Sequence, residues 1–199
     1  MKSKTKHLSQ SKHKLSYRSF LTSLALGGLF IALTSAGALI SLPLFPVPIT
    51  LQVPMVILCG YVLGARNGFL TQVGYLLIGI AGLPVFAGGQ SGPGTIFSPT
   101  FGYLISFPIT ALIIGFLSTY ISNKKYFATL SMFIAGLIPI YLLGTSYLWL
   151  FMNYFLKKEM TFSKTVAVGI IPFIAWDIIK VILSATIANR IEHFISKDK

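Results

Sequence analysis

The 199-residue chain has the composition of a protein that lies within a membrane. Hydrophobic residues make up 54% of it and charged residues only 10%, and the mean hydropathy is +0.79, which excludes an ordinary soluble globular domain. The single cysteine excludes an intrachain disulfide and a cysteine cluster for a metal. The net charge of +12 does not indicate nucleic-acid binding, because the basic residues flank apolar segments, where membrane orientation and anionic lipids explain them.

Long uncharged stretches predict where the chain crosses the bilayer, since a helix needs about 20 apolar residues to do so. The stretches are 19–65 and 67–123, each long enough for two crossings, and 126–156, long enough for one. A further stretch, 165–189, is interrupted only by Asp177 and Lys180 and gives the last crossing. We therefore predict an all-α integral membrane protein with six transmembrane helices. The first helix begins at Phe20 and extends to about Leu42.

Lysine and arginine residues concentrate on one side of these predicted helices. Six helices place both termini on the same side, and the positive-inside rule makes that side cytoplasmic in a multi-pass protein of the cell membrane. The predicted organisation is a basic cytoplasmic tail at 1–18, a six-helix domain at 19–190 and a cytoplasmic tail at 191–199.

Three connections lie on the predicted outer side, the third of them carrying Lys157, Lys158 and Lys164, and the first two have unusual sequences. The first, LPLFPVPIT at 42–50, is short and its prolines favour an extended path. The second, at 82–104, holds six glycines and three prolines yet no charge. Such an apolar loop is predicted to fold over the outer mouth as a lid, because irregular backbone in a membrane must be buried in protein or line a cavity. No lysine follows its glycines as a phosphate-binding loop requires, so this chain is not expected to use ATP by the common route.

Small residues recur every fourth position in the first helix, at Gly28, Ala32 and Ala36. Such a groove lets another helix approach closely, either within this chain or in a partner protein. A second small-residue face, at Gly60 and Gly64, is predicted to pack within the chain.

The last predicted helix carries a charged pair, Asp177 and Lys180, in the stretch AWDIIK. On a helix these residues share a stripe with Phe173 and Ser184. Ionisable groups inside a membrane are costly and usually contact a ligand or relay protons, although a structural salt bridge is the alternative. Asp177 is the only acidic residue in a predicted helix, which favours ligand binding over a proton relay.

An enzyme is not predicted. The three histidines are in the terminal segments, at 7, 13 and 193, so neither a metal site nor a nucleophile with its base is expected within the helices. We expect no cofactor in this chain.

Four stretches together resemble the BioY family, the biotin-specific substrate-binding components of energy-coupling factor (ECF) transporters. They are PVPITLQ at 46–52, GLPVFAGG at 82–89, SPTFGYL at 98–104 and GIIPFIAWDIIK at 169–180. The resemblance implies a six-helix subunit without catalysis of its own that captures biotin from the outer side. It also implies partners, namely a transmembrane coupling protein and two ATPase subunits, and docking on the coupling protein through Gly28, Ala32 and Ala36.

The resemblance further assigns roles to individual residues. Asp177 and Lys180 are implied to be polar contacts to biotin, since a carboxylate accepts from ureido N–H groups and an ammonium donates either to the ureido oxygen or to a carboxylate. Further candidates are Gln52, Phe86 as an apolar wall, and the loop residues Gly88, Gly89 and Gln90.

The chain departs from the family pattern at Ser98 and Phe101, where many members have glycine. It also lacks an arginine or asparagine in 84–100, so Lys157, Lys158 or Lys164 is a hypothetical partner for the biotin carboxylate. Two alternatives stay open from the residues alone: an ion-coupled secondary transporter, and a substrate-binding component for another small vitamin.

Overall fold

The computed structural model describes residues 2–44, 46–120 and 125–197, and the side chains of 20–44, 46–120 and 125–193. Within these ranges the chain forms seven α-helices: α1 Lys2–Leu39, α2 Gln52–Ile80, α3 Phe101–Tyr120, α4 Tyr126–Ala135, α5 Leu137–Leu150, α6 Phe162–Gly169 and α7 Ile171–Lys197. A π-helical turn at Phe151–Phe155 extends α5, and two 3₁₀ turns, Ala87–Gly89 and Pro93–Phe97, lie between α2 and α3. The short strands β1 (Ser41–Leu42) and β2 (Ile49–Thr50) pair antiparallel, with Ser41 opposite Thr50.

Five segments of the described chain are long and apolar enough to span a membrane: Phe20–Leu39, Gln52–Ile80, Phe101–Tyr120, Tyr126–Phe155 and Phe162–His193. The prediction of an all-α membrane protein is confirmed. The first segment ends three residues earlier than predicted, because the chain becomes extended and enters β1 at Ser41. Helix α1 begins at Lys2, so the predicted N-terminal tail continues into the first spanning segment as one helix.

Helix α2 is broken at Gly64, whose backbone has φ 75° and ψ 175°. Glycine adopts this conformation readily because it has no Cβ. The two halves of α2 lie side by side, since a Cβ placed on Gly68 would be 3.0 Å from the Cα of Gly60. In a continuous helix, residues eight positions apart are separated by about 12 Å along the axis. The break at Gly64 therefore reverses the direction of the chain.

Glycines also allow α3 to pack closely against α2. A Cβ on Gly60 would lie 2.4 Å from the carbonyl oxygen of Ala111, and a Cβ on Gly115 would lie 2.2 Å from the backbone nitrogen of Ala65. The predicted packing of Gly60 within the chain is confirmed. Because both obstructing atoms are backbone, a side chain at either glycine would force the two helices apart.

Gly115→Ala is expected to destabilise the protein by about 1–3 kcal/mol, the usual cost of overpacking a close helix contact. The measurement is the thermal midpoint of the purified protein in detergent. Gly28→Ala is the matched control, since a Cβ at that helical position meets nothing within 4 Å. Equal midpoints for the two variants would contradict the argument.

Candidate ligand-binding site

An open cavity lies where α2, α3, α5 and α7 meet the segments 47–50 and 86–100. It encloses about 600 Å³ of empty space, its open mouth included. Most of its wall is apolar and comes from several helices: Val53, Leu104, Phe107, Ile140 and Phe173 all line it. Ligand sites usually combine such walls with a few polar groups that fix orientation.

The polar part of the wall is a cluster of Asp177, Lys180 and Tyr141. Lys180 Nζ donates to Asp177 Oδ1 at 2.9 Å, and the Tyr141 hydroxyl donates to Asp177 Oδ2 at 2.6 Å. Asp177 is 3% exposed and Lys180 6% exposed. The cluster therefore places a buried carboxylate, a buried ammonium and a phenol in one wall of an apolar cavity.

The helix face that carries the pair is the predicted one. Phe173, Asp177, Lys180 and Ser184 are all buried, and the Ser184 hydroxyl donates to the Lys180 carbonyl at 2.8 Å. Residues on the other faces of this stretch, such as Trp176, are exposed. The spacing of three and four residues along α7 directs the stripe into the cavity.

The cluster retains unused hydrogen-bonding capacity. A carboxylate offers about four acceptor sites and an ammonium three donors, and the contacts above use two of the first and one of the second. The cluster can therefore accept N–H groups from a ligand and also donate to a ligand oxygen. The opposite charges of Asp177 and Lys180 balance, so a ligand group next to them needs no net charge.

Tyr103 fixes the break between α6 and α7 beside this cluster. Its hydroxyl donates to the Gly169 carbonyl at 2.8 Å, and its ring packs where a Cβ on Gly144 would lie 2.2 Å from Cδ1. No local pattern in the sequence pointed to Tyr103 or Tyr141, since the phenol positions are set by contacts of α3 and α5 with α6 and α7.

The other predicted contacts divide into two groups. Gln52 and Phe86 line the cavity together with Asp177 and Lys180, whereas Gly88, Gly89 and Gln90 are not among the lining residues. Gly88 and Gly89, with φ 67° and 75°, form a turn that is closed by the Phe86 amide donating to the Gln90 carbonyl at 3.1 Å. This turn presents Phe86 to the cavity.

The remaining predicted positions lie away from the cavity. Gly28, Ala32 and Ala36 are exposed along α1. Lys157, Lys158 and Lys164 are also exposed and do not line the cavity. Phe101, one of the two departures from the family pattern, is buried and its ring packs against Tyr147 at 5.9 Å between centroids.

These features define a multi-pass helical membrane protein with a cavity suited to a small, partly polar ligand. The model of the BioY family matches residues 4–197. The chain is 42% identical to a probable biotin transporter BioY of Lysinibacillus sphaericus, over 85% of this chain and 86% of that protein. It is also 42% identical to the biotin transporter BioY of Thermotoga maritima, over 83% of this chain and 92% of that protein.

The fold of this chain is also similar to that of a solved structure. The crystal structure of the S-component for biotin from an ECF-type ABC transporter superposes with a TM-score of 0.78 and 26% sequence identity, covering 88% of this chain and 93% of that chain. The chain belongs to the BioY family.

Proposed function

We propose that this protein is the substrate-binding subunit of a biotin transporter, which captures biotin from the outer side of the membrane and delivers it with an ATP-driven coupling module. The observation that carries the proposal is the buried cluster of Asp177, Lys180 and Tyr141 in an apolar cavity. Relatives 42% identical to this chain are named biotin transporters. Their names favour biotin over other small vitamins as the ligand of this chain.

The chemistry of biotin fits the cavity wall. Its ureido group offers two N–H donors and one oxygen acceptor, and its fused rings are apolar. Asp177 accepts from the N–H groups, while the rings lie against Phe86 and the other apolar side chains. Lys180 donates either to the ureido oxygen or to the carboxylate, and Lys157, Lys158 and Lys164 stay hypothetical partners of the carboxylate.

The topology proposed for this subunit has six crossings, with both termini in the cytoplasm. The reversal at Gly64 supports it, because a reversed chain within the single segment Gln52–Ile80 allows this segment to supply two of the six proposed crossings. The loop at 82–104 serves as an extracytoplasmic lid. Its residues Phe86 and Thr100 contribute to the cavity wall, which supports this role.

The proposed partners are the transmembrane coupling protein and two ATPase subunits in the cell membrane. Gly28, Ala32 and Ala36 are exposed on one stripe of α1 and form the docking face. The small side chains on this stripe allow a partner helix to come close.

The test is equilibrium binding of labelled biotin to the purified protein in detergent. We expect saturable binding that excess unlabelled biotin displaces and that excess thiamine or riboflavin does not. Displacement by thiamine or riboflavin would show that the site also accepts that vitamin and would contradict biotin as the specific substrate. Accumulation of biotin by the reconstituted subunit alone, driven by a proton or sodium gradient, would instead indicate an ion-coupled transporter.

A further inference from the structure

A chain of hydrogen bonds runs from β2, through the cavity-lining Thr50 and Gln52, to the outer loop. The Thr50 hydroxyl donates to Gln52 Oε1 at 2.9 Å, Gln52 Nε2 donates to the Tyr75 hydroxyl at 2.7 Å, and that hydroxyl donates to the Val85 carbonyl at 2.8 Å. Gln52 is 3% exposed and Tyr75 is fully buried. The first residue of α2 is thus connected through Tyr75 to the loop that follows α2.

Phe86, next to Val85, fits into a slot made by the same part of α2. Its ring meets the Tyr75 ring edge-on, with centroids 5.5 Å apart and an interplanar angle of 84°. A Cβ on Gly79 would lie 2.1 Å from Phe86 Cζ, so the slot exists only because Gly79 has no side chain. Phe86 is 1% exposed in this position, with its ring in the cavity wall.

These contacts change the role expected of Gln52. Its side-chain oxygen accepts from Thr50 and its nitrogen donates to Tyr75, so most of its amide is occupied by the protein. Tyr75 is not among the residues that line the cavity. Tyr75 therefore acts on the cavity through the loop, whereas Gln52 lines the cavity and also holds the Tyr75 hydroxyl.

We propose that Tyr75 is a positioning residue for the binding site, and that Gln52 holds its hydroxyl so that Val85 is fixed and Phe86 closes the cavity. This inference rests on the proposed function, since biotin is the ligand that the closed loop retains. Loss of the hydroxyl leaves a buried Gln52 N–H and the partly buried Val85 carbonyl without this partner. An open loop, in which water reaches both groups, then becomes more favourable.

The consequence for binding is a faster release of biotin. Leaving one buried hydrogen-bonding group unsatisfied corresponds to a change of about 10-fold in an equilibrium between closed and open loops. Because the ligand leaves through the opened loop, this change falls mainly on the dissociation rate, as do most changes in affinity among variants of one site.

The experiment compares Tyr75→Phe, Gln52→Ala and the double variant with wild type. Tyr120→Phe is the matched control, since it removes the hydroxyl of a tyrosine that is 71% exposed at the end of α3. The first readout is hydrogen–deuterium exchange of the 81–100 segment in the ligand-free protein. The second is the dissociation rate of labelled biotin after a chase with unlabelled biotin.

We expect Tyr75→Phe to raise exchange in the 81–100 segment and to accelerate biotin release about 10-fold, with a smaller change in association. The double variant should release biotin about as fast as Tyr75→Phe alone, because residues that act as one unit are not additive. Unchanged exchange with unchanged release in Tyr75→Phe would overturn the inference. So would additive effects of the two changes, which would place Gln52 in direct contact with the ligand.

Failure of the proposed function has a different signature. Wild-type protein that is monodisperse but binds no biotin would reject biotin as the ligand. The exchange measurement needs no ligand, so it would still decide whether Tyr75 fixes the loop.

Discussion

Asp177→Asn is expected to reduce the affinity for biotin about 100-fold or more. The change keeps the shape of the side chain but removes the charge that accepts from the ligand, and hydrogen bonds to charged groups contribute about 1.5–3 kcal/mol each. It also leaves the Lys180 ammonium, 6% exposed, without its counter-charge. The measurement is equilibrium binding to monodisperse protein in detergent.

A buried ion pair also contributes to folding, so the single variant needs a control that separates the two roles. Removing one partner of such a pair costs about 3–5 kcal/mol, whereas replacing both partners by apolar residues is often neutral. We therefore expect the double variant Asp177→Leu, Lys180→Met to recover most of the thermal midpoint lost in Asp177→Asn. It should still fail to bind biotin.

One result for the double variant would contradict a role of Asp177 and Lys180 in recognising biotin. If it binds biotin as well as wild type does, Asp177 and Lys180 form a structural salt bridge, and recognition belongs to other groups in the wall. Tyr141→Phe supplies an intermediate case, since it removes one donor to Asp177 Oδ2 and leaves both charges in place. Its affinity is expected to lie between wild type and Asp177→Asn.

The sequence was sufficient for the features that depend on local pattern. Uncharged stretches located the apolar segments, because lipid excludes charge over a known thickness. The spacing in α7 correctly placed Phe173, Asp177, Lys180 and Ser184 on one buried face, because a helix has a fixed period. A resemblance in four short motifs was sufficient to indicate the family.

Features that depend on contacts between distant segments were not predicted. Tyr141 meets Asp177 across 36 positions of the chain, and nothing in its neighbourhood distinguishes it from the other eight tyrosines. Gly60, Gly64 and Gly68 have the same spacing, yet only Gly64 among them has a positive φ. The uncharged stretches placed a connection at Arg66, but the glycine spacing alone does not say which of these glycines breaks the helix.

Ala32→Leu combined with Ala36→Leu is expected to reduce transport strongly while leaving biotin binding intact. Both residues are exposed on α1 in the isolated chain, so larger side chains there can point away from the protein and should lower its stability little. In the assembled transporter they would separate α1 from the coupling protein. Overpacking of about 1–3 kcal/mol at the interface weakens the association constant about 5- to 150-fold.

The measurement pairs two assays on the same variant. Uptake of labelled biotin is followed in vesicles that contain the subunit, the coupling module and ATP, and biotin binding is measured on the subunit alone. Ala167→Leu is the control, because it makes the same change at an exposed position on α6. Loss of uptake with retained binding would place docking on α1, because only the uptake assay requires the subunit to assemble with the coupling module. Normal uptake by the double variant would move the docking face elsewhere, and a parallel loss of binding would show that this stripe supports the fold of the cavity.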